Sequence, residues 1–264
     1  MALTYGSYLK IPELLSLQQR VSPGPEHDEM LFIVIHQVYE LWFRQEIHET
    51  EQLVRSFSAG DGPASSATLR RVLTILKTMV AQIDVLETMT PVSFRSFRGF
   101  LESASGFQSC QFREWEFLLG AKRPGPLRNY AEGSPERTVL ERRLAEPTLW
   151  DGYLRFLAHR GREHGFAVPA ALLSRDVTRP PEPSKELQDT LVEIYRHHPG
   201  ARAISELLVD LDEGLQEWRY RHVKMVERTI GNLPGTGGSP GAEYLKSTLF
   251  RPLFPDLWEI RSRL

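Results

Sequence analysis

The sequence predicts an all-α fold, a single-domain helix bundle, and three observations carry that prediction. Long stretches lack helix breakers: no Gly or Pro occurs between Asp28 and Gly60. Apolar residues recur at helical spacing, as in Leu69, Val72, Leu73, Leu76, Met79, Val80, Ile83 and Leu86, and again in Leu207, Leu208, Leu211, Leu215 and Trp218. No alternating run is long enough for a sheet, and no internal repeat is present. A chain of 264 residues has room for one sizeable core.

Residues 1–26 read as an arm. Tyr5-Gly6-Ser7-Tyr8 precedes a short amphipathic piece at residues 11–19 and a turn, Ser22 to Pro25. The arm is too short to hold a core, so it must dock on its own body or on a partner chain. A long helix is expected from residue 28 to about 55. Asp28 and Glu29 favour its N-terminus, where the backbone dipole is positive. Its apolar residues, Leu31 to Ile35, Val38, Tyr39, Leu41, Trp42 and Phe43, go most of the way round, which marks an interior helix. Residues 57–66 are Gly-, Ser- and Ala-rich and predict an exposed loop. A second long helix is expected over 67–88. Thr90-Pro91 then starts a short one, 92–103, with Pro near the first position.

Ser105-Gly106-Phe107-Gln108-Ser109 breaks that helix, and a further helical run covers 111–120. Residues 121–147 are basic and rich in Gly and Pro at first, then charged, with no helix assigned. A helix at 150–159, a loop over 161–185 and a polar amphipathic helix at 186–198 follow. The last long helix is expected at 202–230, despite Gly214. A Gly-rich loop, 231–241, then leads to two short terminal helices.

A net charge of −2 and a pI near 6.5 argue against a general affinity for nucleic acid or anionic membrane. Arg219, Arg221 and Lys224 read as a solvated helix face. The single cysteine, Cys110, between Phe107 and Phe112, excludes an intrachain disulfide, fits a reducing compartment and reads as core rather than nucleophile. The first residues lack the apolar run of a secretion signal, and no stretch is long and apolar enough to span a membrane. A soluble, intracellular protein is expected.

Three residues could carry chemistry. His36 lies in the most apolar part of its helix and shares a face with Phe32 and Tyr39. It is either a satisfied core residue or part of a site. His222 lies on an apolar stripe one turn after Trp218. It is either a core histidine bonded to a carbonyl or a ligand to haem iron. Arg98 sits one turn after Phe94 and beside Phe97. A guanidinium among aromatic rings suits capture of a carboxylate, unless it is merely exposed, as Arg95 is expected to be. The loop from Gly235 to Gly241 is not a phosphate-binding loop, because no Lys-Ser/Thr follows where one is required.

Four segments, HDEMLFIVIHQVYELWF, SGFQS, WRYRHVKMVERTIG and GTGGSPG, occur in this order. Together they resemble the tryptophan 2,3-dioxygenase family, over nearly the whole chain. The resemblance implies a bundle enclosing a b-type haem, with O2 as co-substrate, and cleavage of the indole ring of L-tryptophan to N-formylkynurenine. It implies that His222 is the axial iron ligand and that Ser105 and Gly106 lie near the haem edge. His36 would be the distal, catalytic residue that hydrogen-bonds the indole N–H, and Phe32 would pack on the indole ring. Phe94 stands where relatives have Tyr or Phe, so no mechanism here can need a phenol at that point. Arg98 and Thr236 would bind the substrate's carboxylate and amino groups, with loop 231–241 closing over it. Pro240 stands where many relatives have Ser and should stiffen that loop. Tyr5 and Tyr8 would reach into a neighbouring subunit's pocket, an exchanged arm that implies a homotetramer. The family's setting is cytoplasmic tryptophan catabolism through kynurenine. Two other outcomes stay open at this point: a haem monooxygenase giving a 2-oxindole, and a non-catalytic haem-binding helical module.

Overall fold

A computed structural model describes residues 2–231, 233, 235 and 242–264. Among these, regular structure is helical throughout. The arm carries α1 (Tyr5–Tyr8) and α2 (Ile11–Leu14), and the body begins with α3 (Asp28–Ser58). There follow α4 (Gly62–Leu86), α5 (Pro91–Arg98), α6 (Cys110–Leu119), α7 (Pro135–Ala145), α8 (Leu149–His164) and α9 (Ala170–Leu173). The chain continues with α10 (Lys185–His197), α11 (Pro199–Ile230), α12 (Ala242–Lys246) and α13 (Pro255–Glu259). None of these helices is long and apolar enough to cross a membrane.

The expected bundle is present. Helix α4 packs on both α3 and α11, and α3 also packs on α6 and α8. Their apolar stripes meet in one core that includes Leu53, Phe57, Leu69, Met79, Leu211 and Leu215, all fully buried. Burying such side chains is the main favourable term in the fold, at roughly 1.5–3 kcal/mol each. Gly214 leaves α11 unbroken for a packing reason: an added Cβ would come within 2.9 Å of a Leu76 methyl, so the missing side chain lets α4 approach closely.

Several boundaries differ from expectation. The loop expected at 57–66 shrinks, because α3 runs on to Ser58 and Phe57 is fully buried. Asp61 then caps α4 by accepting from Ala64 N at 2.9 Å. Residues 135–145, where no helix is expected from sequence, form α7 behind a Ser134 cap with Pro135 at the first position. Helix α8 continues past residue 159 and stops only at Gly165, whose φ of 88° few other residues adopt readily. Helix α5 stops at Arg98, and Glu102 adopts a positive φ of 48° beyond it.

The arm buries none of its helical residues; Tyr5 is 78% and Tyr8 69% exposed. It is nevertheless tethered at its base. The buried carboxylate of Glu29 accepts from Val21 N at 2.7 Å and from Ser22 N at 3.2 Å, and Gln37 donates to the Leu17 carbonyl at 3.1 Å. At the other end of the chain, Asp212 on α11 accepts from Leu253 N, Phe254 N and the Trp258 indole at 2.8–3.1 Å. That buried carboxylate fixes the C-terminal segment against the bundle.

Candidate haem and substrate cavity

Helices α3, α5 and α11, with the segment around Ser105, enclose a cavity of about 250 Å³. His36 and His222 both line it, so the two imidazoles that sequence reasoning singled out face one space. Burial holds both neutral. It lowers the His36 pKa, against smaller opposing effects from the Phe32 carbonyl and Glu40, and pulls His222 down to about 4.

His36 is fixed by its own helix. Its Nδ1 lies 2.7 Å from the Phe32 carbonyl oxygen. A carbonyl only accepts, so Nδ1 carries the proton and Nε2 keeps a free lone pair. The Phe32 ring packs at 4.1 Å between centroids against His36, and at 5.7 and 5.6 Å against Phe94 and Phe97 of α5. This aromatic wall leaves His36 little freedom to turn. On α11 the ring of Trp218 stacks on His222 at 5.3 Å and 17°, as expected for residues four apart on one helix. Unlike His36, His222 has no hydrogen-bond partner among the described residues. Tyr39, expected beside His36, lines the same cavity and donates to the Met79 carbonyl at 2.7 Å, so its phenol joins α3 to α4.

Arg98 comes from the last turn of α5 and lines the cavity half-buried, whereas Arg95 is exposed, as expected. Phe94 is buried in the aromatic wall. Ser105 and Gly106 also line the cavity, where Ser105 caps a short 3₁₀ turn with Gln108. Thr236 and Pro240 lie outside the described residues. Tyr5 and Tyr8 are not brought to the cavity within this chain and stand on the exposed arm. Cys110 is half-buried, with its thiol pKa pushed up to about 11 by burial first and by Glu114, Glu136 and Glu40 next, so it is a poor nucleophile at neutral pH.

One part of the site was not foreseen. Glu116 of α6, almost wholly buried, is held by three guanidinium groups. Arg219 Nη2 approaches at 2.7 Å, Arg123 Nη2 at 3.1 Å, and Arg113 from one turn earlier on α6. Despite the cost of burial, these charges lower the Glu116 pKa and keep it ionised. All four residues line the cavity. Arg219 therefore corrects the sequence reading: it is buried rather than solvated. Arg221, by contrast, pairs with Asp84 and Glu87 at the surface, and Lys224 is exposed. The available signal was spacing, since Arg219 precedes His222 by three residues and so shares its face.

The donor set suits one kind of metal group. Among the described residues no three His, Cys, Asp or Glu side chains gather to hold a bare ion. A single neutral imidazole in an aromatic cavity suits a metal that brings its own planar ligands, as haem does.

A family model described as "Tryptophan 2,3-dioxygenase" matches residues 1–149 and 185–264. A protein named tryptophan 2,3-dioxygenase from Herpetosiphon aurantiacus is 57% identical, covering 100% of this chain and 99% of its own length. One of the same name from an Anaeromyxobacter species is 54% identical over 100% and 97%, and one from Bacillus thuringiensis 38% over 99% and 93%. With its two histidines on one cavity and likeness along its whole length, the chain belongs to the tryptophan 2,3-dioxygenase family.

Proposed function

We propose that the protein is a haem-dependent dioxygenase that opens the indole ring of L-tryptophan with O2, giving N-formylkynurenine. The observation that carries this reading is the shared cavity: a neutral imidazole with no hydrogen-bond partner among the described residues, His222, and an oriented one, His36, line it together with Arg98.

His222 would hold the haem iron, being neutral, half-buried and free of a competing hydrogen bond among the described residues. When bound, ferrous haem supplies the activation of O2. The chain's own residues do the rest. Phe32 and Phe94 offer flat apolar faces to the indole ring, which keeps water away and restricts its orientation. His36 Nε2 accepts the indole N–H, because Nδ1 is committed to the Phe32 carbonyl. This places the pyrrole edge without removing its proton, and burial lets His36 do so at neutral pH without charging. The Arg98 guanidinium takes the amino acid's carboxylate, with Thr236 completing that end. Ser105 and Gly106 would bound the haem edge.

The exposed apolar arm supports a homotetramer in which Tyr5 and Tyr8 close a neighbour's pocket, in a cytoplasmic enzyme of tryptophan catabolism. The test of the reaction is turnover under ¹⁸O2 with a reductant. Ring opening puts two labelled atoms into the product; a single labelled atom would point to the 2-oxindole instead, and no product to a binding module.

A further inference from the structure

We infer that Glu29 is a positioning residue: with Gln37 it latches the base of the N-terminal arm to α3 and so sets where Tyr5 and Tyr8 are delivered. This deepens the reading above, in which the arm closes a neighbour's pocket, and rests on it.

The arm is ordered yet unpacked. Thr4 and Ser7 cap α1 reciprocally, and Pro12 lies in the first turn of α2, so both helices have local structure of their own. Their apolar side chains nevertheless face outward: Leu3, Tyr5, Tyr8, Leu15 and Leu17 are 60–78% exposed. A segment of this kind needs a cover that lies outside its own body. An arm free at its root would sample many directions and spend little time in any one pocket, so a held root raises its effective concentration there.

Two side chains of α3 hold that root. Glu29, only 1% exposed, turns its carboxylate to three donors: the Val21 N–H at 2.7 Å, the Ser22 N–H at 3.2 Å and the Ser22 hydroxyl. Burial by itself raises its pKa, but the Ser22 and Val21 donors and the Arg20 charge leave it below the ordinary value, so the group stays ionised and only accepts. Two turns on, Gln37 donates to the Leu17 carbonyl at 3.1 Å and accepts from the Gln18 amide at 2.7 Å. Residues 17–22 are thus clamped along α3 at both ends. The clamp is also in register with the cavity. Glu29 lies two turns before His36 on the same face of α3, roughly 10 Å away along the axis. Residues 25–28 line one hollow with Ser93 and Ser96 of α5, the helix that carries Phe94 and Arg98. The root of the arm therefore rests on both helices that supply the substrate-facing side chains.

Trypsin cutting of the Arg20–Val21 bond in purified holoenzyme, followed by mass spectrometry, reads the latch directly, because Val21 N–H is one of the groups it holds. Glu29→Gln keeps the shape but turns an amide toward donors. It should speed that cut about tenfold or more, the worth of charge-assisted hydrogen bonds lost locally. The same variant should raise the KM for tryptophan about tenfold, with kcat within about twofold and the Soret band and helicity unchanged. Asp28→Asn, which removes a charge from the same helical turn without removing an acceptor from these donors, should leave both readings at the wild-type level. Tyr8→Ala alone should raise KM, and adding it to Glu29→Gln should raise it little further, because both act through one arm. Cutting of Glu29→Gln at the wild-type rate would overturn the latch. Faster cutting with an unchanged KM, or fully additive effects of Glu29→Gln and Tyr8→Ala, would overturn its positioning role. A wild-type protein that turns over no tryptophan would instead overturn the reaction reading beneath it, and the tryptic rates would still judge the latch.

Discussion

Glu116 and Glu46 are both buried carboxylates, and the chain treats them oppositely. Glu116, on α6 at the cavity, is held by three arginines, which lower its pKa. Glu46 lies on α3, one turn beyond Phe43. Neither of its oxygens has a partner among the described residues, and its pKa is raised well above the ordinary value, first by burial and then by the charge of Glu49. One carboxylate is surrounded by cations that favour its charged form; burial pushes the other toward its protonated form. The difference teaches that burial alone does not set ionisation. The fold supplies compensating charge at the cavity, where ligands with charges of their own are to bind, and none at Glu46.

The comparison can be sharpened by substitution. The largest effect is expected from Glu116→Gln, which leaves three guanidinium groups, two of them buried, facing one another. Removing one partner from such a cluster costs about 3–5 kcal/mol, to be read from urea unfolding at neutral pH. A loss below about 1 kcal/mol would mean that the cluster is solvated after all. Next comes Arg98→Ala, at a cation of the same cavity. It should retain the Soret band yet weaken tryptophan binding about 100-fold, the worth of a charge-assisted carboxylate contact. Unchanged substrate affinity by titration would remove that assignment.

The smallest effect is expected from Glu46→Met. It removes an uncompensated acid at nearly constant volume and should stabilise the protein by about 1–3 kcal/mol at neutral pH. Here the sign depends on pH. A raised folded pKa contributes stability below the unfolded value of 4.5 that is lost as pH rises. The gain from Glu46→Met should therefore grow with pH and vanish under acid conditions. Glu116 runs the other way: its contribution is present above 4.5 and lost as pH falls through its lowered folded value. Stability curves of the two variants against pH should thus diverge in opposite senses. Parallel curves would contradict the contrast.

His222 adds a window of its own. Its folded pKa of about 4 against an ordinary 6.5 means that the unfolded chain takes up a proton which the haem-free fold refuses. Stability of haem-free protein should fall as pH drops from about 6.5 toward 4, and the same acidification should promote haem loss.

The same contrast explains what could be read in advance. Helix α3 and the two histidines were legible because each is a local pattern: a breaker-free run, an imidazole on an apolar stripe, an aromatic one turn away. Helix α7 was not, because its charged residues lack an apolar period, and only the Ser134-Pro135 start marks it. Composition alone makes the loop at 57–66 too long, because the burial of Phe57 depends on Tyr153 and Phe156 from α8. The Glu116 cluster was invisible for a related reason. Its members come from α6, from the segment after it and from α11, and charged residues in sequence look solvated until the fold brings them together. Arg98 was legible only because Phe94 and Phe97 share its short helix.

The central claim is that His222 alone ties the iron to this protein. Its most direct test is His222→Gly purified with and without millimolar imidazole. The account predicts that the variant loses the Soret band and tryptophan turnover while keeping its helicity, and that free imidazole restores the band and some activity. A variant that keeps the wild-type spectrum without imidazole would contradict it.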